Sequence, residues 1–402
     1  MKALIIVFDG MADRPIKELG NKTPLEVAST PTLNILAKKG VNGLLDPIAP
    51  GVRVGSDTTH LAILGYDPFE IYSGRGPFEA LGIGMGVEEG DIALRCNFAT
   101  VDEEGRVLDR RAGRISDGTA ELSKALNTIE LGHDFVFKES VGHRGVLVLK
   151  GNGKSTLSSM VTDSDPHDTG EKILEIKSLD SSKEGIATAK FLNIFSDNAL
   201  KVLGEHEVNK EREKLGLPPA NAILMRGCGR AVKIGPFQEK YGARGACMAT
   251  VGLINGIAIA VGMDVLDAPA TYSERVEKAL EALNEYDVLL LNIKEADEAA
   301  HDHNFERKIS IIEEIDSALG SVVDFIEENY IALLCDHTTS VSYGDHTGDP
   351  VPLAIAGPEV RVDDVVKFDE RSAPKGGMGR IRGADIMPIL LDLMNRSEKF
   401  GA

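Results

Sequence analysis

Ser56 stands in GVRVGSDTTHLAILGYDP (51–68), after a glycine and just ahead of the apolar run Leu61 to Leu64. Two chemistries are open to it. A serine at the start of a helix can accept the unpaired backbone N–H groups of the first turn. The same hydroxyl, held where a helix end favours an anion, can act as a nucleophile. A free alcohol is a weak nucleophile at neutral pH, and coordination to a divalent ion favours its alkoxide. The second role therefore asks for metal ligands elsewhere in the chain.

Aspartate and histidine recur in the needed pattern. Asp9 follows the apolar run ALIIVF, and Asp336-His337 follow YIALLC. Asp297 and His301 are four apart in KEADEAAH, which on a helix puts them on one face. His346 lies in GDHTGDPVP. Any one pair is as readily a cap or a turn. Together they are six candidate ligands, and Ser56 makes a seventh, more than one tetrahedral site takes. Mixed carboxylate and imidazole donors suit two divalent ions such as manganese, zinc or cobalt better than calcium. Paired ions can clamp the attacking and leaving oxygens of phosphoryl transfer.

These residues must be positioned by something. ALIIVF (3–8), DVLLLNI (287–293) and YIALLC (330–335) read as strands buried on both faces of a parallel sheet. Between the last two, 304–329 has helical apolar spacing, so a right-handed strand–helix–strand crossover is expected. TPTLNILAKKG (30–40) reads as a helix with Thr30 near its cap and Gly40 at its end. Open α/β sheets gather ligands at the carboxyl ends of their strands, where each Asp/His group falls. From 75 to 240 the chain differs, with hairpin-like strands, many glycines and several arginines. The expected architecture is a doubly wound, mainly parallel α/β core (1–74 and 241–402) with a smaller inserted α+β domain (75–240). RGVLVLKGNGKSTLSSMV (144–161) reads as a β-hairpin turning at Gly151-Asn152-Gly153.

Two phosphate motifs fail. GKST (153–156) lacks the P-loop glycine, with Val148 in its place. GIGMG (82–86) is followed by Glu88 and Glu89, which would repel a pyrophosphate, and reads as a turn. No R-H-G triplet marks a phosphohistidine enzyme. No organic cofactor is expected.

The 402 residues suggest two or three domains. Forty-four basic against 63 acidic residues give a net charge of -19, arguing against nucleic acid or an anionic membrane as partner. The uncharged window 246–263 is interrupted by Gly252, Asn255, Gly256 and Gly262, and reads as a buried strand and helix. Four scattered cysteines and no signal peptide suggest a reduced cytoplasmic protein, monomeric or a homo-oligomer.

VFDGMADRP, GSDTTHLAILGYDP, LDRRAGRI, KEADEAAHD, CDHTTS, HTGDPVP and RGADIMPILLDLM together resemble the alkaline phosphatase superfamily, and within it the archaeal type of cofactor-independent phosphoglycerate mutase. The resemblance covers most of the chain. It implies Ser56 as nucleophile, one ion on Asp297, His301 and His346, and another on Asp9, Asp336, His337 and Ser56. The ions would be manganese, zinc, cobalt or magnesium. The implied reaction moves the phosphate of 3-phosphoglycerate to Ser56 and returns it to the 2-oxygen of glycerate. A phosphoserine must be kept from water, a use for the insert, which should also offer arginines to carboxylate and phosphate. Arg111, Arg114 and Arg226 are the candidates, with Asp165 and His167 of SDPHDTG as acid–base or orienting groups. The lysine motif and histidine-rich stretch of the bacterial branch are not evident. Rivals on the same core are a metal-dependent phosphatase, a phosphonate hydrolase or another phosphomutase. A non-catalytic metal-binding protein is a further one. A sulfatase is disfavoured, because Asp57-Thr58 follow Ser56.

Overall fold

The computed structural model describes residues 1–152, 156–399 and 401. Two compact units divide the chain: Met1–Ile71 with Ile234–Ala402, and Tyr72–Lys233. The first is a mixed α/β unit on an eight-stranded sheet. Its strand order is Gly379–Arg382, Gly40–Asp46, Val351–Ala356, Tyr330–Cys335, Ala3–Phe8, Val288–Ile293, Gly245–Met248 and Asp264–Leu266. Five neighbouring pairs run parallel, and only the two flanking Val351–Ala356 are antiparallel. The sheet is thus mainly parallel.

The three apolar runs occupy its centre. Every residue of Ala3–Phe8, Val288–Ile293 and Tyr330–Cys335 is buried, as continuous hydrophobic strands with helices on both faces require. Burying each Val, Leu or Ile side chain contributes about 1.5–3 kcal/mol. Register levels their carboxyl ends, with Phe8 opposite both Ile293 and Cys335. Asp9, Lys294 and Asp336 therefore leave the sheet side by side.

The helix read at 30–40 is Pro31–Lys38, with Thr30 at its N-cap. Gly40 does not end it but opens the strand Gly40–Asp46. A Cβ there would lie 2.5 Å from the Ile355 carbonyl oxygen, so glycine serves close strand approach rather than a helix stop. The window 246–263 folds as the strand Gly245–Met248 and the helix Gly252–Ala260. Among the described residues no helix is long and apolar enough to cross a membrane.

The second unit is an antiparallel sheet in which Ile92–Val101 pairs with Val107–Asp109, Arg144–Leu149 and Ala222–Arg230. The 22-residue helix Lys183–Gly204 shares its core, through Leu192, Phe195 and Leu203. The turn of the hairpin read at 144–161 runs into residues 153–155, outside the described residues, and among the described residues 156–161 do not pair with Arg144–Leu149. Arg144–Leu149 pairs backward with Phe135–Glu139, and the only bridge near its C-terminal side joins Val161 to Ser178 among the described residues. Of GKST (153–156), residues 153–155 lie outside the described residues. GIGMG follows the helix Gly76–Gly82 and turns at Gly84, where φ is +71°. The ends of this unit meet: the Arg230 N–H donates to Ser73 Oγ at 2.9 Å, and that hydroxyl donates to the Arg230 carbonyl at 2.7 Å.

Candidate active site

Ser56 is the first residue of the helix Ser56–Ile63, whose N-cap is Gly55. The capping use of its hydroxyl is not realised. Instead Ser56 Oγ lies 3.2 Å from His337 Nε2. His60, one turn on and fully buried, fixes the serine's backbone: its Nδ1–H donates to the Ser56 carbonyl at 2.6 Å. A carbonyl only accepts, so Nε2 is left as the acceptor facing the Asn292 amide at 3.3 Å, on a central strand. Burial lowers the His60 pKa to about 4, so the ring is neutral.

The six ligand candidates converge. The helix Glu295–His301 carries Asp297 and His301 on one face, and the antiparallel pair Thr338–Ser340 and Asp345–Thr347 brings His346 back beside His337, ring centroids 3.7 Å apart. Asp297 Oδ1 is 3.4 Å from His301 Nε2 and 3.5 Å from His346 Nε2. His337 Nε2 is 3.5 Å from Asp9 Oδ1 and 3.2 Å from Asp336 Oδ2. Donor atoms about 2.0–2.2 Å from one ion at tetrahedral angles stand about 3.3–3.6 Å apart, close to this spacing.

Among the described residues, two groups could hold an ion: Asp297, His301 and His346, and Asp9, Asp297 and His337. Asp297 belongs to both. Three further observations fit divalent cations. Asp9 Oδ1 and Asp336 Oδ2 are buried with no hydrogen-bond donor among the described residues, a costly state for a carboxylate that a cation relieves. His301 Nδ1 faces the Gly344 carbonyl at 2.7 Å and His346 Nδ1 the Val54 carbonyl at 2.8 Å. Each must donate there, which leaves Nε2 as the metal-binding atom. His337 Nδ1 similarly meets Thr339 Oγ1 at 3.0 Å.

The electrostatics follow from crowding acids in a dry place. Burial and then Asp336 push Asp9 well up, while burial raises Asp336 to about 6. Burial would raise Asp297 too, but the hydrogen bond from His346 and the charges of Lys294, His337 and His301 hold it well below the usual range. His346 stands at about 9 despite burial, because Asp297 and the Val54 carbonyl favour its proton. Burial and His346 hold His337 well below its ordinary value. Lys294 opens KEADEAAH with no role legible from the sequence, yet its Nζ is 2.6 Å from Asp297 Oδ2 and 3.7 Å from Asp9 Oδ1. Its position three residues before Asp297, at a strand's end, is the one available signal. His60, four after Ser56, offers a similar one.

In the second unit, buried Asp165 forms a two-pronged pair with Arg110, at 3.0 and 2.7 Å, and lies 4.0 Å from Arg226. His167 Nε2 is exposed, 3.5 Å from Asp163 Oδ2. Arg111 and Arg114 are exposed, in a turn shaped by Asp109, which accepts from the Arg111 and Gly113 N–H groups. Arg110, Arg75 and Arg95 escape a reading of the sequence alone. Arg75 and Arg95 share Glu79, at 2.9 and 3.5 Å, and Arg95 Nε and Arg226 Nε are buried donors without an acceptor among the described residues. Burial lowers Arg95 to about 9, with Arg75, Arg226 and Arg144 adding to the effect. Such a crowd of guanidinium groups calls for an anion.

The chain is similar to known proteins. The family model of 2,3-bisphosphoglycerate-independent phosphoglycerate mutase matches residues 37–209. Proteins of that name from Methanothermobacter thermautotrophicus and Methanocaldococcus jannaschii are 51% and 50% identical, over the whole of this chain and 100% and 99% of theirs. A solved Pyrococcus horikoshii protein superposes with a TM-score of 0.87 at 38% identity, covering 100% of this chain and 99% of that one. The cofactor-independent phosphoglycerate mutase of Thermoplasma acidophilum gives 0.69 at 38% identity, covering 98% and 100%. With half its residues shared end to end, the chain belongs to the family of 2,3-bisphosphoglycerate-independent phosphoglycerate mutases.

Proposed function

We propose that this protein interconverts 3-phosphoglycerate and 2-phosphoglycerate in glycolysis and gluconeogenesis, through a phosphoserine on Ser56 and without 2,3-bisphosphoglycerate. The observation that carries the reading is the Ser56 hydroxyl, free of any cap and 3.2 Å from a histidine of the ligand cluster. Two divalent ions, one on Asp297, His301 and His346, the other on Asp9, Asp336, His337 and Ser56, would supply Lewis acidity to the phosphoryl oxygens and favour the serine alkoxide.

The chain's own residues do the rest. His60 holds the Ser56 carbonyl, so that Oγ keeps its aim. Ser56 Oγ loses its proton and attacks phosphorus, and the bond from phosphorus to the 3-oxygen breaks. That oxygen gains a proton as glycerate forms. Glycerate then turns, its 2-hydroxyl gives up a proton and attacks the phosphoserine, and Oγ is released. Lys294, between Asp9 and Asp297, offsets negative charge beside the reacting group. In the insert, Arg226 with Arg110, Arg75 and Arg95 provides cations for the glycerate carboxylate and phosphate, while Asp165 and His167 orient its hydroxyls. Arg111 and Arg114 would act from their exposed loop on the same anions. The setting proposed is the cytoplasm, in keeping with four cysteines that are all unpaired.

The test is the full chain with manganese and 3-phosphoglycerate, followed by 31P NMR with no bisphosphoglycerate added. 2-Phosphoglycerate should accumulate, whereas inorganic phosphate as main product would make the protein a phosphatase. Ser56→Ala should lower turnover by about three orders of magnitude or more at unchanged far-UV circular dichroism.

A further inference from the structure

Thr339 has no place in the reaction just described, yet it touches both ligand sets. Its side chain is fully buried. Oγ1 donates to Asp297 Oδ1 at 2.8 Å and lies 3.0 Å from His337 Nδ1. A hydroxyl has one proton to give. Spent on the carboxylate, it leaves lone pairs that can only accept, so His337 Nδ1 must carry the hydrogen. That in turn keeps His337 Nε2 bare, toward Ser56 Oγ, Asp9 and Asp336.

The residue is held for this task on every side. Its N–H donates to the Ala12 carbonyl at 3.1 Å, and its own carbonyl accepts from the fully buried Lys308 Nζ at 2.9 Å. Across the antiparallel pair it stands opposite His346. The turn after Asp9 is shaped around it: a Cβ on Gly10 would fall 2.6 Å from Thr339 Oγ1 and 2.7 Å from the Asp297 Cβ.

We infer that Thr339 is a positioning residue whose single hydroxyl orients Asp297 for one ion and fixes the tautomer of His337 for the other, so that the two sites gain or lose affinity together. The inference rests on the two-ion reading of the site. Partners of metal ligands are commonly worth ten- to hundredfold in affinity, and here one group serves two ligands.

The experiment uses full-length wild type, Thr339→Val, Thr339→Ser and, should the valine not fit, Thr339→Ala. Each is stripped of metal, checked by circular dichroism, and titrated with manganese against a chromophoric chelator. Thr339→Val or Thr339→Ala should bind both ions about ten- to hundredfold more weakly. Thr339→Ser should come within about threefold of wild type, on the premise that any hydroxyl at this place restores both bonds. In 15N imidazole spectra of the stripped proteins, His337 should carry its hydrogen on Nδ1 in wild type and Thr339→Ser and lose that preference in the other two, a change mere loosening would not select. Wild-type affinity in Thr339→Val, a loss confined to one ion, or failure of serine to rescue would overturn the inference. Wild type taking up no manganese would instead bring down the reading of the site, and the inference with it.

Discussion

Asp336 uses one oxygen to accept the Gly10 N–H at 3.0 Å and leaves the other buried without a donor. Such an atom is a liability until a cation arrives. Its folded pKa, about 6, is above the ordinary 3.8, so the folded state holds its proton more tightly and loses stability as pH rises from about 4 to 6. Asp336→Asn keeps the acceptor for Gly10 and turns the bare oxygen into a donor. Without metal at pH 8 it should therefore melt above wild type, by about 2–4 °C for each kcal/mol recovered. With manganese the order should reverse, because wild type gains more from ion binding. Calorimetry with and without metal checks both halves, and a stripped variant no more stable than wild type refutes the account. Asp9, Asp336 and His337 stand out in the sequence because they directly follow apolar strands, and Asp297 and His301 because they are four apart on one helix. Thr339, His60 and Lys294 do not, since a common residue type becomes informative only once folding shows what it faces.

Behind the site, elements far apart in sequence are joined by a small charged network. The helix Phe305–Ala318 carries Lys308, whose ammonium reaches Asp13 Oδ2 at 2.9 Å with both side chains fully buried. Glu370 accepts the Asp13 N–H at 3.0 Å and the Thr23 hydroxyl at 2.7 Å. Thr23 and Glu26 in turn form the capping box of the helix Pro24–Val27. Enclosure of the Glu370 carboxyl pushes it up to about 7 from an ordinary 4.5. The folded state then binds the extra proton between these values, so stability falls as pH rises through that window and levels off above it. Glu370→Gln should flatten the slope of unfolding free energy between pH 4.5 and 7 by about 1 kcal/mol per pH unit, as read by urea titrations. An unchanged slope would show that Glu370 is ionised throughout. At this scale the sequence misleads twice. The apolar run 144–149 invites pairing with the segment C-terminal to it, although Phe135–Glu139 is its partner, because alternation marks a strand without naming its neighbour. Gly40 reads as a helix stop, and only the approach of Ile355 shows why it opens a strand.

At the scale of the molecule, the first unit is drawn from both ends of the chain and the second from one unbroken stretch. The second has its own core, in which Phe98, Phe137 and Phe195 pack together, and its ends are tied through Ser73 and Arg230. Residues 72–233 made alone should therefore fold, giving one cooperative thermal transition by circular dichroism. A broad, non-cooperative melt would mean the insert depends on the rest of the chain. The existence of an insert is legible in its change of composition. Its internal pairing is not, since antiparallel strands so distant as Ile92–Val101 and Ala222–Arg230 are matched by packing alone.

The central strand carries a consequence for how the protein is made. Ala3–Phe8, all apolar, is made well before its two neighbours, which begin at Val288 and Tyr330. At about 5–20 residues per second it waits roughly 15–60 s with both edges open. The second unit, complete by Lys233, can fold in that interval, so during synthesis the first unit is the last to assemble and its central strand waits longest for partners.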